Sequence, residues 1–170
     1  YIDWMAKETP HVKGGETVSD GGDPSPWTAK GTFNGMKACL AHAGRDGDFS
    51  RLRVAIQGMG HVGMHLGAYL HEAGARLIVA DINEQSVATA CQRFGATAVD
   101  THEILSAECD ILAPCALGAV LGAEQINALQ TGILCGAANN ILVNPDTDAR
   151  LLAQRDVLYG TDFVVNAGGV

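Results

Sequence analysis

RVAIQGMGHVGMHLG, the stretch from residue 53 to residue 67, decides the fold of this sequence. It places three glycines in the spacing G-x-G-x-x-G, namely Gly58, Gly60 and Gly63. The apolar run that ends before them, LRVAIQ, is typical of a strand buried on both faces of a parallel sheet, and the residues after them are typical of a helix. A strand, a glycine turn and a helix in this order predict the first βα unit of a dinucleotide-binding domain.

Each glycine has a separate task in such a turn. Gly58 allows the tight turn, Gly60 leaves space for a pyrophosphate, and Gly63 lets the helix pack closely on the strand. The pyrophosphate would lie at the helix N-terminus, where the N–H groups of His61 and Val62 can donate and the helix dipole is positive. The alternative is that the glycines serve only the turn between a strand and a helix.

An acidic residue at the end of the next apolar run bears on which dinucleotide binds. Asp81 lies 23 residues after Gly58, at the end of LIVAD, where its carboxylate can accept both ribose hydroxyls of the adenosine. A carboxylate there repels a 2′-phosphate, and the next residues, Ile82, Asn83 and Glu84, include no Arg or Lys to hold one. We therefore expect the cofactor to be NAD and not NADP, and we expect Ile82 to be among the residues that bind it.

Apolar runs and helical segments alternate along the rest of the chain. This alternation predicts an α/β fold of the Rossmann type, a doubly wound parallel sheet with helices on both faces. The predicted strands are LRVAIQ, ARLIVAD, ATAV, CDILAPC, GILCGA, VLYG and a final FVVNA. The predicted helices run from about His61 to Ala73, Glu84 to Phe94, Thr101 to Ser106, Ala123 to Leu129 and Pro145 to Gln154.

The first part of the chain differs in composition from the rest. Residues 1–27 are rich in Gly, Pro, Asp and Thr, and their X-Pro pairs disfavour a helix. We expect them to form an interdomain segment that continues from a missing N-terminal substrate domain, with residues 28–170 forming an NAD-binding domain truncated at its C-terminal end. Thr28 is the expected N-cap of a helix that ends at Gly44, with one apolar face formed by Phe33, Met36, Leu40 and Ala43.

Composition excludes several kinds of partner. The net charge of −8 and the lack of a Lys/Arg-rich run argue against nucleic acid and anionic membranes. Five cysteines without a C-x-x-C pair, in apolar surroundings, indicate buried free thiols in a reducing cytoplasm. His61 and His65 could share a metal, but Val62 stands where a zinc-protease motif carries Glu and no third ligand is evident, so we expect no metal site.

Further stretches resemble one family of enzymes almost from end to end. They are GGDPSPWTAKGTFNGMKA (21–38), DILAPCALGAVL (110–121) with CGAANN (135–140), and LYGTDFVVNAGGV (158–170). Together they are similar to the cofactor domain of the amino-acid dehydrogenases acting on leucine, valine and phenylalanine, within the glutamate dehydrogenase superfamily, and most of all to the leucine dehydrogenases. The resemblance implies oxidative deamination, in which NAD takes the α-hydride of an L-amino acid and the imine is hydrolysed to a 2-oxo acid and ammonia.

The resemblance also implies roles for individual residues. Thr28, with Ser25 as a weaker candidate, would hold the nicotinamide carboxamide, and Asn166 would lie by the nicotinamide. Asn139 would bridge substrate and nicotinamide ribose, and Val170 would form a wall of the substrate side-chain pocket. The strand end formed by Ala113, Pro114 and Cys115 would flank the cofactor. The family's assembly implies a homo-oligomer.

The family's two catalytic lysines have no counterpart in this sequence. Its four lysines, Lys7, Lys13, Lys30 and Lys37, all precede position 38, and none follows a glycine-rich run of the expected kind. No catalytic residue can be assigned, so we expect these 170 residues to bind NAD without turnover. The alternatives are a phenylalanine-type enzyme, a non-catalytic NAD-binding regulatory module, and a 2-hydroxy-acid dehydrogenase. Enzymes of the last kind usually place a histidine near the nicotinamide, and the late half of this chain has only His102.

Overall fold

The computed structural model describes residues 23–116 and 118–169. Predictions about residues 1–22 and about Val170 therefore lie outside the described residues. Within the described ranges none of the helices is both long and apolar enough to cross a membrane.

Six helices and six strands alternate along the described chain. The strands are β1 (Arg53–Gln57), β2 (Arg76–Ala80), β3 (Thr97–Ala98), β4 (Ile111–Pro114), β5 (Ile133–Cys135) and β6 (Leu158–Gly160). The helices are α1 (Ser25–His42), α2 (His61–Glu72), α3 (Glu84–Phe94), α4 (Ala123–Ala128), α5 (Pro145–Gln154) and α6 (Asp162–Val165). Two short 3-10 turns, Ile104–Ser106 and Ala167–Gly169, complete the set, and the first replaces the helix expected from Thr101.

All six strands are parallel and form one sheet in the order β3-β2-β1-β4-β5-β6. Strand β1 lies between β2 and β4, with Val54 opposite Leu77 on one side and Ile111 on the other. The chain thus winds outward in both directions from β1, which confirms the predicted doubly wound fold. A crevice opens at the carboxyl ends of β1 and β4 in such a sheet, and ligands bind there.

The sheet is buried because both of its faces are apolar. Side chains alternate along β1, so Val54 and Ile56 pack toward α1 and α2 while Ala55 packs with Leu112 on the opposite face. This double burial explains why the strands read as short continuous apolar runs.

Helix α1 begins earlier than the sequence indicated. Its N-cap is Pro24 and its first residue is Ser25, whose N–H donates to the Asp23 carboxylate at 3.0 Å, so the prediction of Thr28 as N-cap is wrong. Proline suits the first turn of a helix because its missing N–H would have no partner there, so the X-Pro pairs begin this helix and do not prevent it. The helix ends at His42 with Ala43 as C-cap, and Gly44, with φ +71°, stops it as predicted, although Ala43 is exposed.

The final predicted strand, FVVNA, is wrong. Residues Asp162–Val165 form α6, and Asn166 follows as its C-cap. Burial repeats at helical spacing, with Asp162 and Val165 buried while Phe163 is 73% exposed. The chain turns back onto α1 after the edge strand β6, where a Cβ built on Gly31 would lie 2.7 Å from the Val165 carbonyl oxygen. Contact with α1 therefore overrides the β-propensity of the two valines.

Candidate functional site

The glycine turn joins β1 to α2 at the carboxyl edge of the sheet. Gly58 has φ +96°, a conformation that side chains other than glycine rarely adopt, and its N–H donates to the Ala80 carbonyl at 2.8 Å. A Cβ on Gly58 would lie 2.7 Å from the Ala116 nitrogen, and one on Gly63 would contact the Gly58 carbonyl oxygen. Both glycines are therefore required by the fold itself.

Gly60 differs from its two neighbours in the motif. A Cβ built there would meet no atom within 4 Å, and φ is −72°, so neither packing nor backbone conformation requires a glycine. Gly60 is the N-cap of α2, and no side chain caps that helix. The first N–H groups of a helix have no partner within it, so those of His61, Val62 and Gly63 remain available to a ligand beside open space.

Helix α3 provides a contrast on the neighbouring βα unit. The Asn83 side chain accepts hydrogen bonds from the N–H groups of Gln85 and Ser86, at 3.0 and 3.3 Å. Its N-terminus is thus satisfied from within the chain, whereas that of α2 is not. The open space at Gly60 and the uncapped start of α2 fit a phosphate group.

Asp81 lies just after β2 and faces the glycine turn. One carboxylate oxygen accepts the Met59 N–H at 2.5 Å, and the other accepts the Asn83 N–H at 2.8 Å. Asp81 therefore holds the turn in place, a structural role that the sequence did not reveal. Each carboxylate oxygen can accept more than one hydrogen bond, so the same group can also receive a ribose hydroxyl. Ile82, the next residue in the chain, is 93% exposed and presents an apolar surface next to the glycine turn.

The end of β4 lies between the glycine turn and β5. The Cys115 N–H donates to the Gln57 carbonyl at 2.7 Å, and the Pro114 carbonyl accepts the Ala138 N–H at 3.0 Å. Ala113 and Pro114 are buried, and burial raises the pKa of the Cys115 thiol to about 11. A thiol with this raised pKa is protonated at neutral pH.

Asn139 and Asn166 meet at the adjoining edge. The Asn166 Nδ2 donates to Asn139 Oδ1 at 2.7 Å and to the Ala137 carbonyl at 3.3 Å. The turn after β4 reaches the same place, because a Cβ built on Gly118 would overlap the Asn139 carbonyl oxygen. The predicted residues after β1, β4 and β5 and around α6 are thus contiguous along one edge of the sheet.

Thr28 lies in the first turn of α1, which packs on α6. Its hydroxyl makes no hydrogen bond to a described residue, whereas its carbonyl accepts the Thr32 hydroxyl at 3.0 Å. Ser25, the weaker candidate, is buried at the start of the same helix. Val170 is not among the described residues.

A cavity of about 550 Å³ lies beside the turn, between α2 and α3. Polar groups on its wall include His61, His65 and Asn83. Asp23 lies at its rim with a carboxylate oxygen 3.5 Å from His61 Nδ1. Hydrogen bonds from Ser25, and then the nearby histidines, lower the pKa of Asp23, so it is a carboxylate that faces His61. No sequence pattern indicates this pair, because Asp23 and His61 are far apart in the chain.

Two further features bear on the chemistry available. All five cysteines are free thiols. Among the described residues no group of three or more His, Cys, Asp and Glu side chains is placed to hold a metal ion.

Comparison with protein families gives one match over more than half of the chain. Residues 79–170 match the family described as Glutamate/Leucine/Phenylalanine/Valine dehydrogenase. The match begins in β2 and includes the predicted residues from Asp81 to Val170.

Individual relatives match nearly the whole chain. The leucine dehydrogenase of Geobacillus stearothermophilus is 42% identical over 170 residues, which is 99% of this chain and 46% of that protein. The crystal structure of L-tryptophan dehydrogenase from Nostoc punctiforme has a TM-score of 0.84 at 41% identity, covering 86% of this chain and 44% of that one. A hetero-hexameric glutamate dehydrogenase from Thermus thermophilus shares the fold, with a TM-score of 0.73 at 21% identity over 99% of this chain and 44% of that one. The chain spans about half the length of the curated relatives it matches.

Proposed function

The chain belongs to the glutamate/leucine/phenylalanine/valine dehydrogenase family, and we propose that it is the NAD-binding part of an enzyme that oxidatively deaminates a small apolar L-amino acid of the leucine, valine or isoleucine type. The observation that carries the proposal is the uncapped N-terminus of α2 beside the open space at Gly60. This arrangement fits a dinucleotide phosphate, and packing does not require a glycine at position 60. The products would be a 2-oxo acid and ammonia.

The residues around this edge would hold the cofactor along its length. The N–H groups of His61, Val62 and Gly63 would bind the pyrophosphate, and Asp81 the adenosine ribose. Asn139 and Asn166 would face the nicotinamide ribose and the substrate, with Thr28 at the carboxamide. The strand end formed by Ala113, Pro114 and Cys115 would flank the cofactor. When bound there, NAD would supply the hydride acceptor for the substrate α-carbon.

The preference for NAD over NADP is also a proposal. It is supported by the Asp81 carboxylate, which accepts two backbone N–H groups and is so held at the end of β2 as a negatively charged hydrogen-bond acceptor. A 2′-phosphate placed against it would meet a like charge.

The acid–base groups of the reaction would lie outside this chain. Its two described lysines face aromatic rings: the Lys30 Nζ lies 4.7 Å from the Tyr69 ring centroid, and the Lys37 Nζ lies 4.7 Å from that of Phe33. Both ammonium groups therefore lie against aromatic rings of α1 and of the last turn of α2. This supports the proposal that the isolated chain binds NAD without turnover.

The organisation of the complete protein follows as part of the same proposal. Residues 1–27 would lead from a substrate domain into the NAD-binding domain of residues 28–170, and Val170 would contribute a wall of the substrate pocket. We further propose a homo-oligomer, since the neighbouring helices α1 and α6 expose Trp27 and Phe163, which are 69% and 73% exposed. Free cysteines support a cytoplasmic location.

A second candidate is a non-catalytic NAD-binding regulatory module. It is favoured by the lack of an assignable general acid or base among the described residues at the carboxyl edge. A phenylalanine-type dehydrogenase differs only in the substrate pocket.

An assay of the complete protein separates these candidates. NADH formation is followed with a panel of L-amino acids that includes leucine, valine, isoleucine, phenylalanine and glutamate, first with NAD and then with NADP. We expect the branched apolar substrates with NAD to give the highest kcat/KM. NADH binding without turnover on any member of the panel would favour the regulatory module, and a clear preference for phenylalanine would change the substrate assignment.

A further inference from the structure

Two asparagine amides at the carboxyl edge of the sheet are linked in a way that fixes their orientation. The Asn166 Nδ2 lies 2.7 Å from Asn139 Oδ1 and 3.3 Å from the carbonyl oxygen of Ala137. An asparagine side chain has one NH2 group, which donates two hydrogen bonds, and one carbonyl oxygen, which only accepts. The polarity of each amide therefore depends on what its neighbours can donate or accept.

The backbone carbonyl of Ala137 decides this polarity. A carbonyl oxygen cannot donate, so Asn166 must turn its NH2 group and not its oxygen toward Ala137. The same NH2 group lies against Asn139, so Asn139 must offer its carbonyl oxygen. One backbone atom thus sets the orientation of Asn166 and, through it, that of Asn139.

The groups left over are different on the two side chains. Both N–H bonds of Asn166 are used within the chain, so only its Oδ1 remains to accept from a ligand. The Oδ1 of Asn139 is used by Asn166, so its NH2 group remains to donate, and Asn139 is exposed at the edge. We propose that Asn166 is a positioning residue that fixes the Asn139 amide so that Asn139 presents an N–H donor to an acceptor oxygen of the ligand.

This inference rests on the proposed function and adds the chemistry of the contact. Asn139 would donate to a carboxylate or hydroxyl oxygen, since a ligand NH2 group placed there would meet another donor. Asn139 therefore selects an acceptor oxygen of the ligand without introducing a titrating group.

The short helix that carries Asn166 is held firmly enough for this task. At the start of α6 the buried Asp162 carboxylate accepts the Ile141 N–H at 3.1 Å and the Phe163 N–H at 2.8 Å. Asp162 thus ties α6 to the loop that contains Asn139, and Asn166 ties the other end of α6 to the same loop. A side chain supported at both ends of its element loses little freedom when it orients a neighbour.

Two isosteric variants separate orientation from structure. Asn139→Asp keeps an acceptor oxygen for Asn166 and so retains the contact within the chain, but it has no N–H for the ligand. Asn166→Asp cannot donate, so the Asn139 NH2 group would turn toward the new carboxylate and away from the ligand. Asn140→Asp is the matched control, because it adds the same charge to the same exposed loop without touching the pair.

The variants are compared in the complete protein by kcat/KM for its preferred L-amino acid, NADH affinity and melting temperature. We expect kcat/KM to fall about 10- to 100-fold in both variants of the pair, the loss expected for a hydrogen bond to a charged or strongly polar group. Asn139→Asp should leave the melting temperature unchanged, and Asn140→Asp should stay within about threefold of wild type because an exposed charge is screened. Asn166→Ala should add no further loss to Asn139→Asp, because Asn166 acts through the lost N–H.

Several results would overturn the inference. Asn139→Asp within twofold of wild type would show that Asn139 does not donate, and additive losses in the double variant would show that Asn166 acts independently of it. If Asn166→Asp does not fold, Asn139→Asp still tests whether Asn139 donates, and the double variant with Asn166→Ala tests whether Asn166 acts through it. A wild-type protein that neither binds NADH nor oxidises any L-amino acid would refute the proposed function before any variant is made, and the inference with it.

Discussion

Replacing Gly60 by alanine is expected to separate stability from cofactor binding. Alanine can adopt φ −72° and ψ −162°, and its Cβ would meet no atom within 4 Å. Restricting the unfolded chain stabilises by about 0.4–1 kcal/mol, while replacing glycine by alanine at an N-cap costs about 0.5–1 kcal/mol. The two terms nearly cancel, so the free energy of unfolding should change by less than about 1 kcal/mol.

The same methyl group would occupy the space in which we place the pyrophosphate. Keeping the phosphate away from the N–H groups of α2 should cost about 1.5–3 kcal/mol of binding, which weakens NADH affinity about 10- to 100-fold. NADH fluorescence titration measures the affinity and urea denaturation the stability. Gly47→Ala is the control, because a Cβ there also meets nothing within 4 Å but lies in the loop before β1. Unchanged NADH affinity in a folded Gly60→Ala protein would refute the assignment of the phosphate site.

Three other predictions follow from single contacts. Asp81→Asn removes the charge that opposes a 2′-phosphate and should raise the NADP-to-NAD ratio of kcat/KM about tenfold, and an unchanged ratio would contradict the role of this carboxylate. Asn83→Ala removes the acceptor of two N–H groups of α3 and should cost about 1 kcal/mol in urea denaturation without affecting NADH affinity. Burial raises the pKa of Tyr159 from 10 to about 12, so the stability contributed by the neutral phenol is complete below pH 10 and is lost as the pH rises toward 12. An ultraviolet titration of wild type minus Tyr159→Phe should show this late ionisation, and a midpoint at pH 10 would exclude it.

The sequence predicted the fold well wherever local pattern and burial agree. Strand β1 and helix α2 follow from the apolar run and the glycines between them, and α3 and α5 have the predicted bounds. The doubly wound topology follows from the alternation of strands with single helices.

The errors lie where a distant contact outweighs the local pattern. FVVNA is rich in β-branched residues, but Val165 packs into the space left by Gly35 on α1, and no residue within FVVNA indicates that neighbour. Thr28 is a suitable N-cap by residue type, yet Asp23 accepts the N–H of Ser25 and lets the helix begin earlier.

The sequence proposes residues for the candidate site but not the contacts among them. The glycine spacing and the resemblance to a family point to Gly60, Asp81, Asn139 and Asn166. The hydrogen bond from Met59 to Asp81 and the one between the two asparagines depend on how strand ends meet in space. Sequence spacing carries no information on such contacts, because the partners lie far apart in the chain.

The central proposal is that this chain belongs to an enzyme that transfers the α-hydride of an L-amino acid to NAD and releases its amino group as ammonia. The most direct test is to measure NADH and ammonia in the same reaction of the complete protein with L-leucine, L-valine or L-isoleucine. We predict that both products form in equal amounts, with NAD strongly preferred to NADP. Tight binding of NADH with neither product formed from any L-amino acid would contradict the claim.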